Sequence, residues 1–254
     1  MTYDAIVVGA RCAGSPTAML LARRGYRVLL LDRAGFPSDA LSTHYVHQPG
    51  VAHLKRWGLL DRVAASNCPP ALRQRVDFGP FAIQGTPPPV DGVAEGYAPR
   101  RRVLDAILAE AAVEAGVELR EHFGVEELLV EGGRVAGVRG RPAGGAMVSE
   151  TASIVVGADG LRSAVARMVD APAYDTRPPL TCAFYSYWDG VPVEGPELYV
   201  RPDRMLVASP TNDGLTILIV FWPNAAFAQV SADVERAYMA AVDLAPGLAE
   251  RVRA

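Results

Sequence analysis

The sequence predicts an α/β chain, α+β over its whole length. A layer of parallel strands opened by a βαβ unit is joined to a second, mostly antiparallel β layer. Three observations predict it. Asp4–Gly9 and Tyr26–Asp32 are short apolar runs suited to buried parallel strands, with a helical pattern between them. Thr151–Gly157 repeats such a run. From Thr181 to Trp222 a series of short strand-like segments follows, separated by turn residues.

Taken in order, the first apolar run ends at Gly9, and Ala13–Arg24 places Ala18, Leu21 and Ala22 at helical spacing before Gly25. Gln48–Ser66 reads as a helix interrupted at Gly58, and Cys68–Pro99, rich in Pro and Gly, as loop or edge structure. Arg101–Ala115 carries Leu104, Leu108, Ala111 and Ala115 on one face, and Val117–Leu119 follows as a short strand. Val125–Val138 reads as a hairpin around Glu131–Arg134. The segments 181–188, 197–200, 204–209 and 215–222 read as antiparallel strands. Ser231 is expected to cap a helix that ends before Pro246.

A chain of 254 residues, half of them apolar, can bury a large core and supports two units. The expected division is 1–70 with 100–172 for the first unit and 71–99 with 173–230 for the second. Residues 231–254 start a C-terminal helical segment. A net charge of −3 argues against nucleic acid as a partner. Three scattered cysteines, Cys12, Cys68 and Cys182, exclude a disulfide framework and fit a reducing, cytoplasmic setting. His44 and His47 have no neighbouring ligands, so no metal site is expected. The longest apolar run, Leu215–Trp222, is too short to span a bilayer, so no membrane insertion is expected.

Two constellations carry chemistry. Gly9-Ala10-Arg11-Cys12-Ala13-Gly14 lies between strand and helix. There Gly9 would make the tight turn and Gly14 would let helix and strand pack closely, so that the helix start can hold a pyrophosphate. Arg11 takes the place of the usual middle glycine. It would obstruct close approach unless it turns away, or it could add positive charge near the phosphates. Asp32 ends the second strand, 18 residues after Gly14, where a carboxylate can accept from ribose hydroxyls. The second constellation is Gly157-Ala-Asp159-Gly160-Leu-Arg-Ser163, a strand ending in Asp-Gly before a helix that Ser163 can cap. Read alone, its Asp-Gly could also be a hairpin turn.

These pieces, with the segment Arg101-Arg-Val-Leu-Asp105, resemble the single-component FAD-dependent monooxygenases of the aromatic hydroxylase type. Geranylgeranyl-reductase-like and halogenase-like flavoproteins share the scaffold. The resemblance implies a Rossmann-like FAD-binding layer with an antiparallel β substrate-covering layer. It implies FAD on Gly9, Arg11, Cys12, Ala13 and Gly14, its ribose at Asp32 and its adenine near Arg33 and the backbone of Val125. Arg101 would reach the cofactor, and Asp159 and Gly160 would serve both FAD and NAD(P)H, the electron donor. The flavin would then carry the chemistry: reduction by NAD(P)H, reaction with O2 and transfer of one oxygen atom to an aromatic or polyketide-like small molecule.

His44, on the loop where such proteins approach the flavin ring, is the weak catalytic candidate as a proton shuttle. Tyr185, Tyr187, Trp188 and Trp222 are candidates for substrate specificity, divided by strand alternation between pocket and core. The alternatives are a reductase of isoprenoid double bonds, a halogenase (which lacks support from any Trp-x-Trp-x-x-Ile element) and a non-catalytic nucleotide-binding chain. The family's late Gly-Asp pair has no counterpart after residue 160. The sequence is therefore expected to be the N-terminal portion of a longer flavoprotein, or a shortened one with impaired FAD binding.

Overall fold

The computed structural model describes residues 2–254. The chain opens with β1 (Tyr3–Val8), α1 (Gly14–Ala22) and β2 (Val28–Leu31). Then come α2 (Gln48–Trp57), α3 (Leu60–Ala64), β3 (Gln74–Asp77), β4 (Ala82–Gly85) and α4 (Arg101–Glu114). Next are β5 (Glu118–Arg120), β6 (Phe123–Glu131), β7 (Arg134–Pro142), β8 (Val148–Gly157) and α5 (Ala164–Met168). Strands β9 (Thr181–Trp188), β10 (Glu197–Arg201), β11 (Arg204–Pro210) and β12 (Thr216–Pro223) precede α6 (Phe227–Ala232), α7 (Val234–Val242) and α8 (Pro246–Arg253).

Two compact units form, Met1–Leu41 with Arg101–Asp175 and Ser42–Arg100 with Thr176–Ala254. The first holds a six-stranded sheet ordered β5-β2-β1-β8-β7-β6. Strands β5, β2, β1 and β8 run parallel, as the continuous apolar runs predict. β1 lies between its successor β2 and the late strand β8, a reversal of strand order that opens a crevice at the strand ends. All four residues of β2 are buried, and Ile6, Leu29 and Leu31 anchor the core beneath.

The second unit holds a sheet ordered β4-β3-β10-β11-β12-β9. Alternation splits its faces. Leu206, Leu218, Val220 and Trp222 pack on Tyr238, Val242 and Leu248 from α7 and α8. The buried polar tips are satisfied: Trp188 Nε1 donates to Tyr238 Oη at 3.2 Å, which donates to the Leu218 carbonyl at 2.7 Å.

The division differs from the expected one in two places. Residues 42–70 group with the second unit. The Val46 amide donates to the Tyr97 carbonyl at 2.7 Å, and buried Asn212 donates through Nδ2 to the Ser66 carbonyl at 2.7 Å. Residues 231–254 also belong there, because α7 and α8 complete its core. A further correction concerns the cap. Ser231 lies inside α6, and it is Asp233 that caps α7, accepting the Arg236 amide at 3.2 Å. The chain leaves helical geometry only at Asp233, with φ −154°, so the capping geometry exists there and not two residues earlier. Helix α7 ends before Pro246, and Pro246 opens α8, where a first-turn proline lacks only an amide that has no helical partner.

Candidate nucleotide site and the open face of the second sheet

In the first unit the C-terminal ends of β1 and β8 lie side by side: Val8 pairs with Gly157, and the Ala158 amide donates to the Val8 carbonyl at 2.7 Å. Gly9 turns the chain at φ +101°, and an added Cβ would lie 2.5 Å from the Ala158 oxygen. At Gly14 a Cβ would stand 1.7 Å from the Gly9 oxygen. Both glycines are therefore required, and the start of α1, with its partial positive charge, is drawn against the strand ends. Ala13 precedes α1 as its N-cap without a side-chain cap bond.

Asp32, 7% exposed, accepts the Ala10 amide at 2.7 Å and the Ala34 amide at 2.8 Å, one on each carboxylate oxygen. Each oxygen keeps acceptor capacity for a ribose hydroxyl. Phe123, two residues before Val125, donates its amide to the Asp32 carbonyl at 2.8 Å, which brings the start of β6 to the end of β2. A bulge between Val125 and Glu127 interrupts the β6–β7 ladder there. Arg33 is exposed beside Asp32.

Asp159 ends no hairpin. Its carboxylate accepts Ser163 Oγ at 2.5 Å and the Ala164 amide at 2.6 Å, and Ser163 in turn accepts the Ala166 amide at 3.0 Å. Burial alone would raise the Asp159 carboxyl, but these donors outweigh it and hold it below its usual range. Gly160 follows at φ +88° with open space where a Cβ would be. Gly9, Gly14, Asp32, Asp159 and Gly160 thus line neighbouring strand ends, an arrangement that fits a dinucleotide.

Arg11, Cys12 and Arg101 converge elsewhere, on Asp105. Its side chain is fully buried. Arg11 Nη1 donates to it at 2.7 Å, and Arg101 makes a two-toothed pair one helical turn away, at 3.0 and 2.9 Å. Arg11 also reaches Ser38 Oγ at 3.1 Å, so its side chain turns away from the glycine turn. Cys12 Sγ donates to Asp105 at 3.3 Å, and desolvation of the thiol, with the Asp105 charge, pushes it up to about 11. The i, i+4 spacing of Arg101 and Asp105 was the available signal.

His44 belongs to the second unit and is 3% exposed at φ +64°. Its Nδ1 lies 2.8 Å from the Ser42 carbonyl and its Nε2 2.6 Å from Tyr187 Oη. A carbonyl only accepts, so Nδ1 carries the proton, and in the neutral ring Nε2 accepts from the Tyr187 hydroxyl. Arg100 stacks over the Tyr187 ring at 4.6 Å. Register resolves the aromatic candidates. Tyr185 and Tyr187 pair with Ile219 and Ile217 on the open face, whereas Trp188 and Trp222 face α7 and α8. On that open face a cavity of about 190 Å³ has a floor of Val207, Ile217, Ile219 and Phe221, with Ser209, Gln74 and Tyr45 among its polar lining.

Among the described residues no helix is long and apolar enough to cross a membrane, and no cluster of His, Cys, Asp or Glu could hold a metal.

Comparison with known proteins agrees with this geometry. Digeranylgeranylglycerophospholipid reductase 2 of Methanopyrus kandleri is 33% identical over 202 residues, covering 76% of this chain and 46% of that protein. The chain spans about half the length of the curated relatives it matches. Among solved structures, the myxobacterial chondrochloren halogenase CndH superposes with a TM-score of 0.85 at 25% identity, over 100% of this chain and 60% of that one. PqsL of Pseudomonas aeruginosa, solved with 2-aminobenzoylacetate, superposes at 0.77 with 21% identity, over 92% and 64%, and shares the fold. The family model described as FAD binding domain matches residues 2–181, and the chain belongs to that family.

Proposed function

We propose that this chain is the flavin-binding part of an oxidoreductase, a monooxygenase that hydroxylates an aromatic or polyketide-like small molecule with NAD(P)H and O2. The observation that carries this reading is the convergence of the Gly9–Gly14 turn, Asp32 and Asp159–Gly160 at the reversal point of a parallel sheet. FAD, when bound, supplies the redox chemistry. The chain's own residues hold it: the amides at the start of α1 take the pyrophosphate, Asp32 accepts from the ribose, and Arg33 and the Val125 backbone flank the adenine. Asp105 fixes the directions of Arg11 and Arg101, which converge on its carboxylate. Cys12 stays a protonated, small residue at neutral pH. The His44–Tyr187 pair can move a proton, since Nε2 and the phenol share one across 2.6 Å.

A second reading, reduction of isoprenoid double bonds, is favoured by the 33% identity to the archaeal lipid reductase. The cavity of about 190 Å³ on the open sheet face is of the size that takes a small ring; a cavity of about 150 Å³ binds benzene. The test is to purify the chain with FAD, record visible flavin absorbance, and follow NAD(P)H-dependent oxygen uptake. Bound flavin should slow amide exchange at Gly9–Gly14 and at the end of β2. Tyr187→Phe and His44→Gln should leave the flavin spectrum unchanged and slow turnover. A colourless chain that takes up no FAD sinks the proposal.

A further inference from the structure

We propose that the groove between α6 and α7 and the neighbouring ends of β11 and β12 binds an amphipathic anion, an acyl chain of medium length whose single carboxylate is held by Arg204. The groove lies on the helix-covered face of the second sheet, and the proposal does not depend on the oxidoreductase reading. Strand alternation places Arg204 there. It lies two residues before Leu206, which packs on the helices, and so shares its face. The ladder pairs Met205 with Phe221, so Arg204 stands across from Trp222, and its guanidinium lies 5.8 Å from the indole centre.

The groove has room for a ligand. Its volume is about 530 Å³, within the range of about 300–1,000 Å³ usual for small-molecule sites. Ala237, Ala240 and Ala241 share one face of α7, and their short side chains leave the space. Val230 of α6 and Leu244, 45% exposed, complete the apolar wall. Charge sets the class of ligand. Arg204 donates from Nη1 to the Asp203 carbonyl at 2.6 Å and pairs with no carboxylate. Its hairpin partner Arg201, by contrast, is neutralised by Asp77 at 2.9 Å. The other two charges of the lining cancel, because Arg236 pairs with Asp233 at 3.0 Å. One positive charge therefore remains beside an apolar wall, and its guanidinium keeps N–H groups for a carboxylate. A cationic chain would meet Arg204 with Asp233 already taken.

The test titrates the full chain with octanoate, octan-1-ol and octylammonium at pH 7, by calorimetry. Octanoate should bind tightest and octylammonium weakest, and octanoate should slow amide exchange in α7. Arg204→Gln should weaken octanoate binding by about tenfold or more and leave octan-1-ol binding unchanged. Arg204→Lys, which keeps the charge and loses the planar fork, should fall between wild type and Arg204→Gln. Ala240 is exposed, and Ala240→Trp should fill the groove and abolish binding of octanoate and octan-1-ol alike. Circular dichroism checks that each variant folds; if Arg204→Gln does not, Ala240→Trp decides. Octylammonium binding as tightly as octanoate, an unchanged octanoate affinity in Arg204→Gln or in Ala240→Trp, or no saturable octanoate binding to the wild-type chain overturns the inference.

Discussion

Asp105 shows how one buried charge organises the surroundings of a loop it does not belong to. Two guanidiniums and a thiol point at a carboxylate that water does not reach. Removing one partner of a buried ion pair typically costs about 3–5 kcal/mol, because the remaining charge stays desolvated. Arg11 is partly exposed, so its share is screened and the lower end applies. Asp105→Asn should therefore destabilise the chain by about 3 kcal/mol, read as a lower urea midpoint. The Cys12 thiol should fall below 11 in that variant, since the Asp105 charge is the second cause of its rise. The pH dependence of alkylation at Cys12 measures this.

Among elements, α5 shows a cap built from two side chains. Five residues make little helix by themselves, and Asp159 and Ser163 secure its first amides. The Asp159 carboxyl is held below its usual range in the folded state. Its contribution is therefore complete at neutral pH, above the unfolded value, and is lost as pH falls through the folded value. Asp159→Asn should be less stable than wild type at pH 7, and the gap should close as the pH drops below the ordinary carboxylate range. Urea unfolding at a series of pH values checks this, and a gap that widens on acidification contradicts it. The same capping logic was legible at Ser163. It failed at Ser231, because Ser and Asp two residues apart are equally good caps and only the backbone angle at Asp233 chooses.

Across the whole molecule, register decides which aromatic residues make core and which face the open side. Trp222 is 1% exposed on the helix-covered face, while its neighbour Phe221 lines the cavity. Trp222→Ala should cost about 3–5 kcal/mol and Phe221→Ala distinctly less. Equal losses in urea unfolding would mean the strand is out of register. The unit boundary was also beyond the sequence. Residues 42–70 look like a continuation of the first layer, but their backbone bonds run to Tyr97 and from Asn212.

The sequence by itself determined the parallel strands, the glycine turn, Asp32 and Asp159. Each is fixed within a few residues by hydrophobic runs, by glycines that alone fit a crowded turn, or by a carboxylate beside a helix start. Only the tertiary structure decided the role of Asp105, the partner of His44 and the exposure of each sheet face. Those depend on groups far apart in sequence: Arg11 lies 94 residues from Asp105, and His44 lies 143 from Tyr187. Arg204 carries no motif at all. It became conspicuous only when folding set it over Trp222 beside an apolar groove and left it without a carboxylate.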